Sequence, residues 1–203
     1  MKSARGLLIV LLVAVTGAAL TLAVQQLTSS RIASQQRELQ SRVFLDALPI
    51  SSYDNQPLEH PLAVKPLVLN NSQLLNGYLA TLSGQPSAVL LRSQTTGYGG
   101  SIELLIVIAS NGKLLGVKTL KQSETPSLGG HISEAGNPWL SAFQGLSRSN
   151  PQDSSWALKK DNGQLDQMAG ATITSRAVIN AVHDALRYFD EHRQHLLEVP
   201  ARD

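Results

Sequence analysis

The stretch "QMAGATITSRAV", residues 167–178, sets Ala169, Gly170 and Ala171 ahead of Thr172, Thr174 and Ser175, where a helical pattern begins. None of these is an acid, a base or a usual metal ligand. What they offer is accessible backbone and hydroxyl. A helix N-terminus presents unbonded N–H groups and the positive end of the helix dipole, which together suit a phosphate. Glycine between two alanines lets a bulky group come close to the backbone. Thr172 lies just outside the expected helix, where its hydroxyl is open to esterification. Thr174 or Ser175 is placed to act as the N-cap. A plain capped helix start fits the same residues, and by chemistry alone any of the three hydroxyls could carry a group.

Two glycine-containing loops stand upstream. "GYGG" (97–100) precedes an apolar run and "ETPSLGG" (124–130) follows a second one. Taken singly, the first reads as a flexible lead into a strand and the second as a Pro-Gly loop. The other titratable groups are less informative. His183, His192 and His195 lie on the last helix without a metal-ligand spacing. Glu134, Asp153 and Asp161 fall in polar loops and are expected to be solvated. No nucleophile–base arrangement is readable.

The elements that must position these loops follow from periodicity. "SAVLLR" (87–92), "SIELLIVIAS" (101–110) and "KLLGVKTL" (113–120) read as strands. Asn111-Gly112 between the last two predicts a tight hairpin with both turn residues at positive φ. Residues 49–66 read as irregular and 121–137 as a loop. A short helix is expected around Trp139–Phe143 and an edge strand at "SWALKK" (155–160). A long helix is expected over Ser175–Leu197, with Val178, Val182, Ala185, Leu186 and Phe189 on one face. Strands followed by helices predict an α+β domain with a small antiparallel sheet and packed helices.

Residues 6–24, "GLLIVLLVAVTGAALTLAV", carry no charge. At about 1.5 Å per residue the run reaches roughly 28 Å, close to the hydrocarbon thickness of a bilayer. Lys2 and Arg5 precede it, which predicts a cytoplasmic N-terminus (1–5) and an extracytoplasmic remainder. The run exceeds a signal-peptide core, and "TLAVQQ" is a poor cleavage site, so an uncleaved anchor is expected. Residues 25–48, free of Gly and Pro, predict a helical stalk. The domain proper is placed at 49–203.

Composition removes several function classes. The formal net charge of +2 is supplied by Lys2 and Arg5, so no basic block remains for nucleic acid. There is no cysteine, which excludes disulfides, thiolate iron–sulfur ligation and cysteine catalysis. Any redox group must come from outside the polypeptide.

In order along the chain, "GYGG", "ETPSLGG" and "DQMAGAT" (166–172) resemble the motifs of the G subunit of Rnf/Rsx electron-transport complexes, FMN-binding domains on one membrane anchor. The resemblance covers most of the chain and is densest from Gly97 to Val182. It implies FMN esterified through its phosphate to Thr172 by a flavin transferase, within the pattern Asp166, Met168, Ala169, Gly170, Ala171 and Thr172, with Thr174 nearby. Glu124, Thr125, Leu128 and Gly129 are then expected to line the isoalloxazine or the ribityl chain, with Tyr98 and Trp139 as weaker candidates. Three positions depart from the family pattern: Ala169 replaces Ser/Thr, Ser127 replaces Gly and Gln122 replaces His.

The implied function is electron relay inside a ferredoxin- and nicotinamide-linked, ion-translocating complex of the bacterial inner membrane, with the domain periplasmic and the other membrane subunits as partners. The equivalent flavin subunit of a sodium-pumping quinone reductase, and an assembly subunit without covalent flavin, are the alternatives.

Overall fold

The computed structural model describes residues 48–59 and 61–198, together with positions 12, 14, 16–18 and 21, which are helical. The expected anchor (6–24) lies mostly, and the stalk (25–48) almost wholly, outside the described residues. Among the described residues no helix is long and apolar enough to cross a membrane.

Five strands form an antiparallel meander in sequence order: β1 (Leu67–Val68), β2 (Gln73–Leu82), β3 (Gln85–Thr96), β4 (Ser101–Ala109) and β5 (Leu114–Lys121). The α+β expectation holds. The central strand β4 is buried from Ile102 to Ile108, which is why it reads as a nearly unbroken apolar run. Its side chains alternate between two cores. Ile102, Leu104, Ile106 and Ile108 join one cluster with Val89 and Leu91 of β3; Leu105 and Val107 join the other with Ala88, Leu90 and Leu48.

The first of these cores is closed by the helix α2 (Thr172–Leu196). Its Val178, Ile179, Val182, Ala185, Leu186 and Phe189 enter that cluster as the 3.6-residue spacing dictates. A one-turn helix, α1 (Pro138–Ser141), precedes it; the Asn137 side chain accepts from the N–H groups of Trp139 and Leu140. The described residues of 49–66 hold 3₁₀ turns at Ile50–Ser52 and Pro57–Glu59 and an isolated bridge from Pro61 to Tyr78.

Three local expectations are corrected. Only Gly112 has positive φ in the Asn111-Gly112 turn. The Ala109 N–H reaches the Lys113 carbonyl at 2.8 Å, so the loop is longer than two residues, and the Asn111 side chain instead accepts from the Lys113 N–H. The two-residue turn with both central residues at positive φ is Ser83-Gly84 (53° and 74°), between β2 and β3. Second, "SWALKK" is not an edge strand. It comprises 3₁₀ turns at Asp153–Ser155 and Lys159–Asp161, with one isolated bridge between Leu158 and Leu165. Buried Trp156 and Leu158 draw the segment inward. A left-handed Asn162 and a Gly163 packed on the Ala157 carbonyl then reverse it. Third, α2 starts at Thr172 rather than Ser175, and Ala171 occupies the N-cap without a side-chain bond.

Gly84→Ala isolates the cost of the positive φ, since nothing lies within 4 Å of the added Cβ. The expected loss is about 1–2 kcal/mol, read as a lower thermal midpoint with unchanged native circular dichroism.

Candidate functional site

Three segments distant in sequence meet at the N-terminus of α2. The first is the β3–β4 loop "GYGG", closed by a 2.8 Å bond from the Gly97 N–H to the Gly100 carbonyl. The second is the loop after β5, where Thr125 turns with Pro126 and its carbonyl accepts from the N–H groups of Leu128 (3.0 Å) and Gly130 (2.9 Å). The third is "DQMAGAT" leading into α2.

Glu124 joins all three. Its side chain is buried. One oxygen accepts from the Gly99 N–H at 2.9 Å and the other from the Thr174 hydroxyl. Its own N–H is held by the Gln122 amide oxygen at 2.6 Å. The glycines around this carboxylate make room for it. A Cβ on Gly97 would strike Glu124, and one on Gly129 would lie 2.6 Å from the Thr174 hydroxyl oxygen and 2.7 Å from Glu124 Oε2. The second loop also touches the third directly: a Cβ on Gly170, at φ 70°, would sit 2.7 Å from Leu128 Cδ2.

The three hydroxyls at the helix start are now distinguishable. Thr174 is buried and committed to Glu124. Ser175 is fully buried; its oxygen accepts from the Met168 N–H (2.9 Å) and donates to the Ala171 carbonyl (2.8 Å). Neither caps the helix, because both side chains fasten incoming loops. Thr172 is the half-buried first residue of α2. Its hydroxyl donates to Gln167 Oε1 and accepts from Lys160 Nζ, both at 3.0 Å. Among the described residues the N–H groups of Thr172, Ile173 and Thr174 have no backbone acceptor, the first helical bond being that of Ser175 to Ala171 at 2.9 Å. A hydroxyl at the uncapped end of a 25-residue helix, beside an ammonium, fits an attached phosphoryl group.

The surroundings hold Thr172 in register. Lys159 pairs with Asp166 at 2.7 Å, Trp139 donates its indole N–H to the Asp166 carbonyl at 2.7 Å, and Arg176 holds Asp161 Oδ2 through two nitrogens at 2.8 and 3.0 Å. Of the residues singled out in the sequence, Glu124, Leu128, Gly129, Gly170, Thr172 and Thr174 come together. Met168 and Ala171 instead point into the hydrophobic core. Thr125 contributes its backbone, and Tyr98 stands at the loop tip, 73% exposed. Lys160, Gln167 and Arg176 are not legible as site residues from the sequence; "KKD" gives no local signal of which cation turns toward Thr172.

The departures from the family pattern are accommodated. Ser127 does not need positive φ. Ala169 is exposed, so the missing hydroxyl orphans no buried group. Gln122 supports Glu124 and also donates to Ser133 at 3.3 Å.

The loop carboxylates are engaged rather than simply solvated. Asp153 accepts from His183 at 2.8 Å, and that bond holds its carboxyl below the usual range, with Arg148 at 3.3 Å assisting. Glu134 lies 2.5 Å from His131 and raises the imidazole above its ordinary value of 6.5. A raised value means that the pair, complete below pH 6.5 while the Glu134 carboxylate is ionised, is lost as pH rises through the shifted His131 midpoint. An NMR titration should place the His131 midpoint above 6.5, and Glu134→Gln should return it toward that value.

Residues 97–187, which include all three loops, match the FMN-binding domain family. Over 195 residues the chain is 47% identical to the G subunit of the ion-translocating oxidoreductase complex of Pseudomonas aeruginosa (strain UCBPP-PA14), covering 95% of this chain and 91% of that one. The chain belongs to the G-subunit family of ion-translocating oxidoreductase complexes. The G subunit from Shewanella piezotolerans is 41% identical over 88% of this chain and 85% of its own, and that from Vibrio vulnificus 34% over 87% and 84%. Proteins with this name, from three genera, are therefore similar to almost the whole chain, and the site described above lies inside the FMN-binding match.

Proposed function

We propose that this chain is an electron-carrying subunit of a redox-driven, ion-translocating membrane complex, holding FMN through a phosphoester to Thr172. The observation that carries the reading is the difference among the three hydroxyls. Thr172 alone is accessible and next to an ammonium, whereas Thr174 and Ser175 are buried and bonded elsewhere. Esterification joins Thr172 Oγ1 to phosphorus and releases the hydroxyl proton, while an activated phosphoanhydride donor, used by a flavin transferase, loses its other fragment.

The flavin supplies the reversible electron acceptor that a chain without cysteine lacks. The protein's residues supply position. Glu124 ties the two loops to α2, the free N–H groups at the helix start would hold the phosphoryl end, and the exposed apolar side chains of Tyr98, Leu128 and Ile173 would offer one cover from each segment for an aromatic ring. Covalent attachment retains the cofactor at high effective concentration. It also suits a periplasmic site, where a freely dissociating flavin is lost by dilution. Membrane placement rests on the uncharged run 6–24 preceded by Lys2 and Arg5.

The test is mild detergent extraction of membranes carrying the tagged full chain. A flavin-fluorescent band that purifies with further integral-membrane subunits of an oxidoreductase is the expected result. A folded chain that purifies alone and dark would overturn the reading.

A further inference from the structure

Three cations, Lys159, Lys160 and Arg176, lie in the turn before Thr172 and in the helix that it opens, and they are not equivalent. Lys159 is spent on Asp166 and Arg176 on Asp161. Lys160 binds no carboxylate among the described residues; its ammonium is directed at the neutral Thr172 hydroxyl, 3.0 Å away. The cluster therefore holds one positive charge more than its carboxylates neutralise, and that charge sits on the residue touching the attachment atom.

A phosphate esterified on both sides carries a single negative charge at neutral pH, whereas a phosphate monoester carries about 1.5 to 2. We infer that Lys160 is the positioning charge for the phosphoryl group on Thr172, matched to the monoanionic diester. The inference rests on Thr172 being the attachment residue. Before attachment Lys160 and Gln167 fix the hydroxyl between a donor and an acceptor, so that its rotamer is set. After attachment the same ammonium faces the diester oxygens. No other residue of the cluster can take this part without breaking an existing ion pair.

The experiment compares the full chain with Lys160→Met, Lys160→Arg and Gln167→Glu, each made with and without the flavin transferase. Peptide mass mapping of the wild type comes first. If wild-type Thr172 carries no flavin, the attachment reading and this inference fall together. With Thr172 labelled, Lys160→Met should be labelled about tenfold more slowly. Because Lys160 is exposed, its unlabelled form should melt close to the unlabelled wild type.

The decisive readout is the rise in melting temperature on labelling. In the wild type that rise should shrink as salt increases. In Lys160→Met it should be less than half as large and insensitive to salt, because the screened pair is gone. Lys160→Arg should restore both rate and rise. Gln167→Glu, which cancels the surplus charge without removing Lys160, should reproduce the Met variant. Labelling rate, rise and salt dependence all equal to wild type in Lys160→Met would overturn the inference and leave attachment at Thr172 standing. An unfolded Lys160→Met would also overturn it, since it would make the lysine structural.

Discussion

Thr172→Ala, exported and matured beside the flavin transferase, is expected to give a dark band on a denaturing gel under ultraviolet light where the wild type fluoresces. The loss should be complete. In a motif rich in hydroxyls, removing one acceptor commonly moves a modification to its neighbour. Here the neighbours are closed: Thr174 is buried against Glu124, and Ser175 is buried with its oxygen between the Met168 N–H and the Ala171 carbonyl. Labelling either would require opening the first turn of α2. Thr172→Ser keeps the hydroxyl at the same helix position and should retain fluorescence. Neither change should unfold the domain, because the side chain is half-exposed and its loss costs on the order of 0.5 kcal/mol. Persistent fluorescence in the alanine variant would show that a different residue holds the flavin.

Glu124→Ala is expected to be the most destabilising substitution in the site. It leaves the Gly99 N–H and the Thr174 hydroxyl without an acceptor and opens a gap between Gly97 and Gly129. The buried Thr174 hydroxyl deprived of its partner costs about 1–3 kcal/mol and the exposed Gly99 N–H less, so the two together predict roughly 2–4 kcal/mol. For a chain of this size that lowers the melting temperature by about 5–15 °C. Glu124→Gln keeps an oxygen for one donor and should lose only about 1 kcal/mol. The ordering matters more than the magnitudes: alanine well below glutamine, and glutamine just below wild type. An alanine variant as stable as the wild type would mean that the three segments are held together by packing alone. Flavin labelling should fall in step with stability, since the loops that meet Thr172 are aligned through this carboxylate.

The parts of the fold written in local periodicity are legible in the sequence. The apolar stripe of α2 and the nearly continuous β4 have the spacing their burial demands. Strand β2 is not legible, because "QLLNGYLATL" breaks its alternation at Asn76-Gly77. Gly77 is there for packing: a Cβ would lie 3.1 Å from Leu91 and 3.4 Å from Leu62 and Val64. The Ser83-Gly84 turn carries a weaker local signal than Asn111-Gly112, yet it is the one with both residues at positive φ. Asn111 keeps ordinary backbone and bonds locally through its side chain.

The site is legible as three motifs but not as one object. The bond between Glu124 and Thr174 spans 50 residues, and nothing local says that a threonine inside a helix start serves a carboxylate in a distant loop. That same contact takes Thr174 away from the N-cap role its residue type suggests. The choice of Lys160 over Lys159 likewise depends on how the "KKD" turn folds back, which follows from the burial of Trp156 and Leu158 rather than from the charges themselves.

The most direct measurement is fragmentation mass spectrometry of the peptide spanning residues 161–176 from the full chain, purified from membranes that contain the transferase. The proposed attachment gives one FMN phosphoryl addition, localised to Thr172, with Thr174 and Ser175 unmodified. An addition on Thr174 or Ser175, or an unmodified peptide from folded and exported protein, would contradict it.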